Sequence, residues 1–222
     1  MKSLGTLFLV SVPIGNLADI TLRALETLKN ADLLFVEDKR VTSALLKHYQ
    51  IATPQTRYDT RRLTESLALL KETLEAGKNV AFVSDAGTPA IADPGNRAVQ
   101  EALEMGAKVV AVPGASALLT ALLSSGMATG RFTFEGFPPV APSDRHAFFT
   151  TLENESRTII LYETPRRLRS TLCTLERYLG SERRLLLAKD LTKPSESLTH
   201  TTLGMACHTA EKETPKGEYT LV

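Results

Sequence analysis

Through the first half of the chain, five short apolar runs alternate with helix-like runs, and that alternation leaves few folds open. Thr6 to Val12, Asp32 to Val36, Thr56 to Tyr58, Val80 to Val83 and Lys108 to Val112 read as strands. Each neighbouring pair is separated by far more than a hairpin turn, so the connections are crossovers and the sheet is mostly parallel. The intervening helices run from Thr21 to Asn30, with Asp19 as the expected cap, from Lys39 to Tyr49, and through Leu63, Leu67, Leu70 and Leu74 to a stop at Gly77. Those four leucines fall at i, i+4, i+7 and i+11, one face of a helix. A fourth helix is expected from Pro94 to Gly106, with Asp93 as N-cap and Pro94 in the first helical position. After the fifth strand, Pro113-Gly114-Ala115-Ser116-Ala117 leads into an apolar helix ending at Ser124.

The second half changes character. Extended segments at Phe132 to Phe134, Thr158 to Tyr162, Leu185 to Lys189, Ser197 to Leu203 and Glu218 to Val222 outnumber two helices, Asp144 to Leu152 and Pro165 to Leu179. This is the pattern of an α+β domain with a mixed sheet. The boundary is placed near Pro113 to Ser116, giving a parallel α/β domain over 1–114 and an α+β domain over 115–222. Gly136 to Pro142 is the one irregular stretch, expected to be a mobile surface loop. The chain stops inside its last expected strand, at Val222, which points to a further C-terminal segment.

No apolar run approaches the roughly 20 residues of a membrane span, and no small-residue cleavage site precedes the first strand, so a cytoplasmic protein is expected. A net charge of +1 argues against nonspecific coating of nucleic acid. The charge is unevenly spread, however: Arg157 to Arg184 holds seven arginines against three acids, a patch suited either to phosphates or to a solvated helix face. Cys173 and Cys207 have no metal-like spacing and are read as small apolar residues rather than disulfide partners. The four histidines share no ligand spacing, and no metal site is expected.

In open parallel sheets ligands bind where the strands end, and three loops leave that edge: Ser11 to Asn16, Ser84 to Gly95, and Pro113 to Ala117. The second is the most informative. In V-S-D-A-G-T-P-A-I-A-D-P-G the glycines allow close approach of backbone to a ligand, while Pro89 and Pro94 limit its freedom. Its only charges are Asp85 and Asp93, with neither the lysine nor the glycine amides of a phosphate cradle, so it suits a hydroxylated or cationic ligand. No G-x-G-x-x-G follows the first strand, where Pro13 stands, so a dinucleotide site is poorly supported. Ser116 either caps the next helix or meets a ligand carboxylate. Glu37-Asp38-Lys39-Arg40 shares the same edge, with Asp38 or Glu37 as a proton acceptor and Arg40 as a phosphate contact. Glu163 and the run Lys189 to Lys193 are corresponding polar strand ends in the second domain.

Several segments together resemble the bacterial ribosomal RNA small subunit methyltransferase I family, a group of tetrapyrrole-methylase-like class III methyltransferases. They are V-P-I-G-N-L-A-D-I-T-L-R-A-L from Val12, V-E-D-K-R from Val36, the loop from Val83, V-P-G-A-S-A from Val112, F-T-F-E-G-F-P from Phe132 and L-Y-E-T-P-R-R from Leu161. The resemblance implies a two-domain tetrapyrrole-methylase-like fold, a homodimer, and S-adenosylmethionine bound between its domains. It further implies methylation of a cytidine ribose 2′-hydroxyl in the decoding region of 16S ribosomal RNA, free or in the small subunit. By the family's motifs Pro13, Asp85, Ala86, Gly87, Thr88, Pro113, Ser116, Ala117 and Tyr162 line the cofactor pocket. A ribose hydroxyl is a weak nucleophile, and Asp38, Glu37 and Lys193 are the candidates for a base or polarising cation.

The chain departs from the family at Lys39, where threonine is common, at Pro194 to Ser197, and after Phe137, where it is less basic and retains mainly Arg145. RNA contacts are expected from Arg40, Arg145, Arg166 and Arg167, and RNA binding then leans on the arginine face, the partner subunit or a further C-terminal segment. Two other readings stay open: methylation of a tetrapyrrole or other small acceptor on the same scaffold, and a noncatalytic RNA-binding module that would bind no S-adenosylmethionine.

Overall fold

A computed structural model describes residues 3–212 and 214–222. They divide into two compact units, the first ending at Ser116 and the second beginning at Ala117.

The first unit alternates β1 (Thr6–Val10), α1 (Leu22–Asn30), β2 (Leu33–Val36), α2 (Lys39–His48), β3 (Gln55–Arg57), α3 (Leu63–Glu75), β4 (Val80–Val83), α4 (Asn96–Glu104) and β5 (Lys108–Val112). All pairings are parallel, in the order β3-β2-β4-β1-β5. Side chains alternate across the sheet with period two. Leu34, Val36, Ala81 and Val83 pack on one face with Ala24, Leu28 and Leu46 of α1 and α2. Phe35, Val80 and Phe82 pack on the other with Leu70, Leu74, Ala98 and Ala102 of α3 and α4. Both faces are covered, which is why β4 is apolar at every position and buried throughout.

Two expected helix starts are corrected. The cap of α1 is Thr21, whose Oγ1 accepts from the Ala24 N–H at 3.1 Å, while Asp19 ends a single 3-10 turn capped by Asn16. α4 begins at Asn96 behind Gly95 (φ 141°), not at Pro94. Ala90 N–H donates to the Pro94 carbonyl at 3.2 Å, which folds Asp93-Pro94 into the loop and leaves the Asp93 carboxyl uncommitted to a helix end.

The second unit contains α5 (Ala117–Ser124), β6 (Phe132–Phe134), α6 (Pro142–Leu152), β7 (Thr158–Glu163), α7 (Pro165–Leu179), β8 (Arg184–Lys189), β9 (Ser197–Thr202), α8 (Leu203–Lys212) and β10 (Tyr219–Leu221). The sheet order is β6-β7-β10-β8-β9, with β6 parallel to β7 and the other pairs antiparallel, the mixed sheet expected. One face packs on α6, α7 and α8 through Phe149, Leu168, Leu172, Leu175 and Leu203. α5 lies against β7 and β10.

α8 was not legible in the sequence: Gly204 sits in its first turn and its apolar pattern is short. It overturns the reading of the cysteines. Cys173 of α7 and Cys207 of α8 form a disulfide, their Cα atoms 5.0 Å apart. Nothing in a separation of 34 residues signals this; the packing of two helices on one core does. Gly136 to Pro142 is also less free than expected. The Gly136 carbonyl accepts from Tyr162 N–H at 2.9 Å, the Pro139 carbonyl from Arg145 Nη1 at 3.3 Å, and Pro142 already begins α6.

Candidate functional site

At the strand ends of the first unit the three anticipated loops are tied into one floor. Val12 and Gly87 exchange both backbone hydrogen bonds, at 2.9 and 3.1 Å. Gly87 has φ 70°, a left-handed conformation that favours glycine, and a Cβ there would stand a tight 3.2 Å from Ile14 Cγ2. The Ser11 hydroxyl donates to Thr88 Oγ1 at 3.2 Å, and that hydroxyl donates to the Ala115 carbonyl at 3.1 Å. Thr88 therefore joins the loops that follow β1, β4 and β5. Ser84 Oγ closes the base of the second loop on the Ala86 carbonyl at 2.9 Å. Further along, Ala90 (φ 67°) and Ala92 (φ 62°) hold left-handed conformations that cost about 1 kcal/mol each for a residue with a Cβ. Strain of this kind is kept where a loop must hold a shape.

Glu37, Asp85 and Asp93 gather on this edge. Asp85 Oδ1 accepts from Asp38 N–H at 2.9 Å, and Asp85 N–H reaches Glu37 Oε2 at 3.4 Å. Burial, followed by the charge of Asp85, raises the pKa of Glu37. Burial, then the charge of Glu37, pushes Asp93 up to about 6 against a usual 3.8, with the neighbouring Ser84 hydroxyl working the other way. Among the described residues none of the three is closed by a salt bridge. Half-buried carboxylates that repel one another, with only Arg57 offsetting the charge of Glu37, are relieved by binding a cation. Pro13, Thr42, Leu45 and Asp85 also share a cavity of about 170 Å³ beside this cluster.

Asp38 is of another kind. Its carboxylate caps α2 by accepting from Arg40 N–H at 2.8 Å and pairs with Arg40 Nη2 at 2.7 Å, and these bonds pull its pKa down to about 2. A carboxylate so held is a poor proton acceptor. The Arg40 guanidinium is exposed but already occupied.

In the second unit, Lys193 pairs with Glu218 at 2.7 Å and stands 3.7 Å from Asp190. Burial works against its charge, but these two acids raise its pKa overall, so it is a fixed cation and not a base. The Tyr162 hydroxyl accepts from Leu118 N–H at the start of α5 at 3.1 Å, and its ring meets those of Phe134 and Phe137 edge-on. The expected RNA contacts divide. Arg167 is spent on the fully buried carboxylate of Glu163, and Arg145 donates to Thr171 Oγ1 at 2.8 Å while lying over the Phe149 ring; Arg166 is exposed.

The structure thus brings Pro13, Glu37, Asp85, Ala86, Gly87, Thr88 and the Pro113 loop together within the first unit. Ala117 and Tyr162 belong to the second. Sequence reasoning missed two groups. Asp93 was counted among the two charges of the loop, but its side chain was assigned to a helix cap and not to the site. Glu163 was noted only as a polar strand end, yet it anchors a buried network.

Residues 6–207 match the family of Tetrapyrrole (Corrin/Porphyrin) Methylases. The chain is 49% identical over 220 residues to the Ribosomal RNA small subunit methyltransferase I of Synechocystis sp., covering 99% of this chain and 78% of that protein. It is 42% identical to the protein of the same name from Thermotoga maritima, covering 99% of this chain and 98% of the other. Among solved structures, Uroporphyrin-III C-methyl transferase from Thermus thermophilus complexed with S-adenyl homocysteine superposes with a TM-score of 0.69 at 22% identity, over 98% of this chain and 96% of that one. A cobalt precorrin-4 methyltransferase gives a TM-score of 0.71 at 19% identity, over 97% and 93%. At these identities the structural likeness speaks for the fold.

Proposed function

The chain belongs to the tetrapyrrole methylase family and, within it, to the ribosomal RNA small subunit methyltransferase I proteins, and from that premise we propose that it methylates small-subunit ribosomal RNA with S-adenosylmethionine. The acceptor is read as a cytidine ribose 2′-hydroxyl in the decoding region, and the protein as a cytoplasmic homodimer. No helix among the described residues is long and apolar enough to cross a membrane. Leu119 and Leu123, exposed on the apolar α5, are a surface that a second copy would cover.

The observation that carries the cofactor reading is the acidic cluster on a preformed floor. S-adenosylmethionine supplies an electrophilic methyl group on a sulfonium, together with an ammonium and a ribose diol. Glu37, Asp85 and Asp93 offer the negative charge and acceptor atoms such a cation needs, and the Ser11–Thr88–Ala115 bridge keeps them from rearranging as it binds. Once the positive charge on sulfur has been discharged, the same carboxylates hold the product less tightly. Of the three candidates for taking the ribose proton, Glu37 fits best: its raised pKa makes it a stronger acceptor than Asp38, and Lys193 is held protonated.

Calorimetric titration with S-adenosylmethionine tests this first. Asp85→Ala is expected to weaken binding by about 1–3 kcal/mol, the cost of losing a charged hydrogen-bonding partner. Unchanged affinity removes Asp85 from the site. The substrate is tested by incubating the protein and labelled S-adenosylmethionine with small subunits from a strain lacking the enzyme. Label on ribosomal RNA, mapped by primer extension, is expected; label only on an added uroporphyrinogen would favour the small-acceptor reading.

Asp93 adds a pH dependence whose sign is fixed. Because its folded-state pKa is raised from 3.8 to about 6, folding favours the protonated acid, and the unliganded first unit loses stability as pH rises through that window. Cation binding runs the other way and strengthens through about pH 6 as the carboxylate forms. Asp93→Asn is expected to stabilise the unliganded unit at pH 7 by on the order of 1 kcal/mol, after discounting for solvent screening. It should also flatten the pH dependence of S-adenosylmethionine affinity between pH 5 and 7; a variant that keeps the wild-type profile removes Asp93 from that role.

A further inference from the structure

The arginine-rich stretch singled out in the sequence is sorted by the structure into two groups. Arg157, Arg167 and Arg169 are closed on Glu155, Glu163 and Glu211. Arg166, Arg177, Arg183 and Arg184 form no salt bridge among the described residues and are exposed. Arg183 and Arg184 line a cavity of about 450 Å³ that lies wholly within the second unit, where β7 and β8 begin and β10 ends. This is the opposite edge of the sheet from Tyr162, Glu163 and Lys189. With strands of six residues the two edges are about 20 Å apart.

The chemistry of the cavity is divided. Its lining joins aliphatic side chains, Leu175 of α7 and Leu185 of β8 among them, to polar ones, Ser156, Thr158 and the acid Glu182; the Thr158 hydroxyl donates to the Ala128 carbonyl at 2.7 Å and keeps its lone pairs for a further donor. A purely aliphatic ligand would have no use for those hydroxyls, and a sugar would have none for the leucines. A nucleobase has two apolar faces and a polar edge, and its phosphates need cations just outside. The volume lies in the range of small-ligand pockets.

We propose that this cavity receives an unpaired nucleotide of the acceptor RNA, its base against the leucines and its phosphates on Arg183 and Arg184. The inference rests on the RNA reading above and deepens it: the strand is gripped at a nucleotide other than the one methylated, at the edge of the second unit opposite Tyr162 and Glu163. An enzyme that must find one ribose in a large RNA gains register from such a second contact.

The test uses the whole chain and single-stranded RNA of mixed sequence, about ten nucleotides long, followed by fluorescence anisotropy across a salt series. Arg183→Ala/Arg184→Ala is expected to weaken binding about tenfold at 0.1 M salt and to lower the slope of log affinity against log salt by about 1.4, the equivalent of two single-strand phosphates. Ala128→Phe, which fills the cavity from an exposed position, is expected to weaken binding with the slope unchanged, because no phosphate contact is lost. Both variants should keep the wild-type unfolding midpoint and the wild-type affinity for S-adenosylmethionine. Wild-type RNA affinity in both variants overturns the pocket while leaving the RNA reading intact. A wild-type protein that binds no RNA overturns both, and tight binding of a saturated fatty acid that RNA fails to displace assigns the cavity to an aliphatic ligand instead.

Discussion

Arg167→Ala is expected to cost the second unit about 3 kcal/mol, a fall of more than 10 °C in its unfolding midpoint. The reason lies in what it leaves behind. The Glu163 carboxylate is fully buried at the end of β7 and accepts from Arg167 Nε at 2.9 Å, from the Thr164 N–H at 2.7 Å and from the Thr171 hydroxyl. Removing the cation strands a buried anion, which costs about 3–5 kcal/mol in comparable pairs. The remaining donors place this case at the lower end. Glu163→Gln/Arg167→Gln should recover part of the loss, because a neutral pair carries no charge to desolvate. A single variant that unfolds with the wild type would show that the pair contributes nothing. RNA affinity per folded molecule should not change in Arg167→Ala, since that guanidinium is spent internally; a clear loss there would restore it as an RNA contact.

Reduction of the Cys173–Cys207 bond is expected to lower the stability of the second unit by about 3–4 kcal/mol, the loop entropy returned to the unfolded chain by opening a closed loop of this size. Thiol titration should find none before reduction and two after it. The unfolding midpoint should fall in reductant, and Cys173→Ser/Cys207→Ser should start low and ignore reductant. A wild-type midpoint indifferent to reductant would mean that the packing of α7 on α8 holds without the bond. The two predictions are separable, because Arg167 lies at the start of α7 and Cys173 at its middle.

The first unit was legible almost strand by strand. In a parallel sheet covered on both faces each strand is a nearly pure apolar run, as Val80 to Val83 shows, and the crossovers are long enough for amphipathic helices to declare themselves. The acidic loop was legible because Asp85, Gly87 and Pro89 are local requirements: a charge, a left-handed φ and a stiff turn are each set by the residue that supplies them. α8 was not legible, since a short helix with glycine in its first turn is held by tertiary packing rather than by propensity. Asp93 was misread for a related reason. D-P is a good helix start in isolation, and only the hydrogen bond from Ala90 to Pro94 keeps it in the loop.

The arginines show the same divide most sharply. Sequence counts seven of them between 157 and 184 but cannot say which are neutralised, because the partners Glu163 and Glu211 become neighbours only when β7, α7 and α8 pack together. By itself the sequence determined the parallel and mixed sheets, the loops at the strand ends of the first unit and the family, since all of these depend on residues close along the chain. The tertiary structure alone decided which carboxylates and arginines form no salt bridge among the described residues, that Asp38 is held by Arg40, that two cysteines are joined, and that Arg183 and Arg184 line a cavity. Charge pairing, desolvation and covalent crosslinking depend on distances between residues remote in sequence, and only the fold sets those distances.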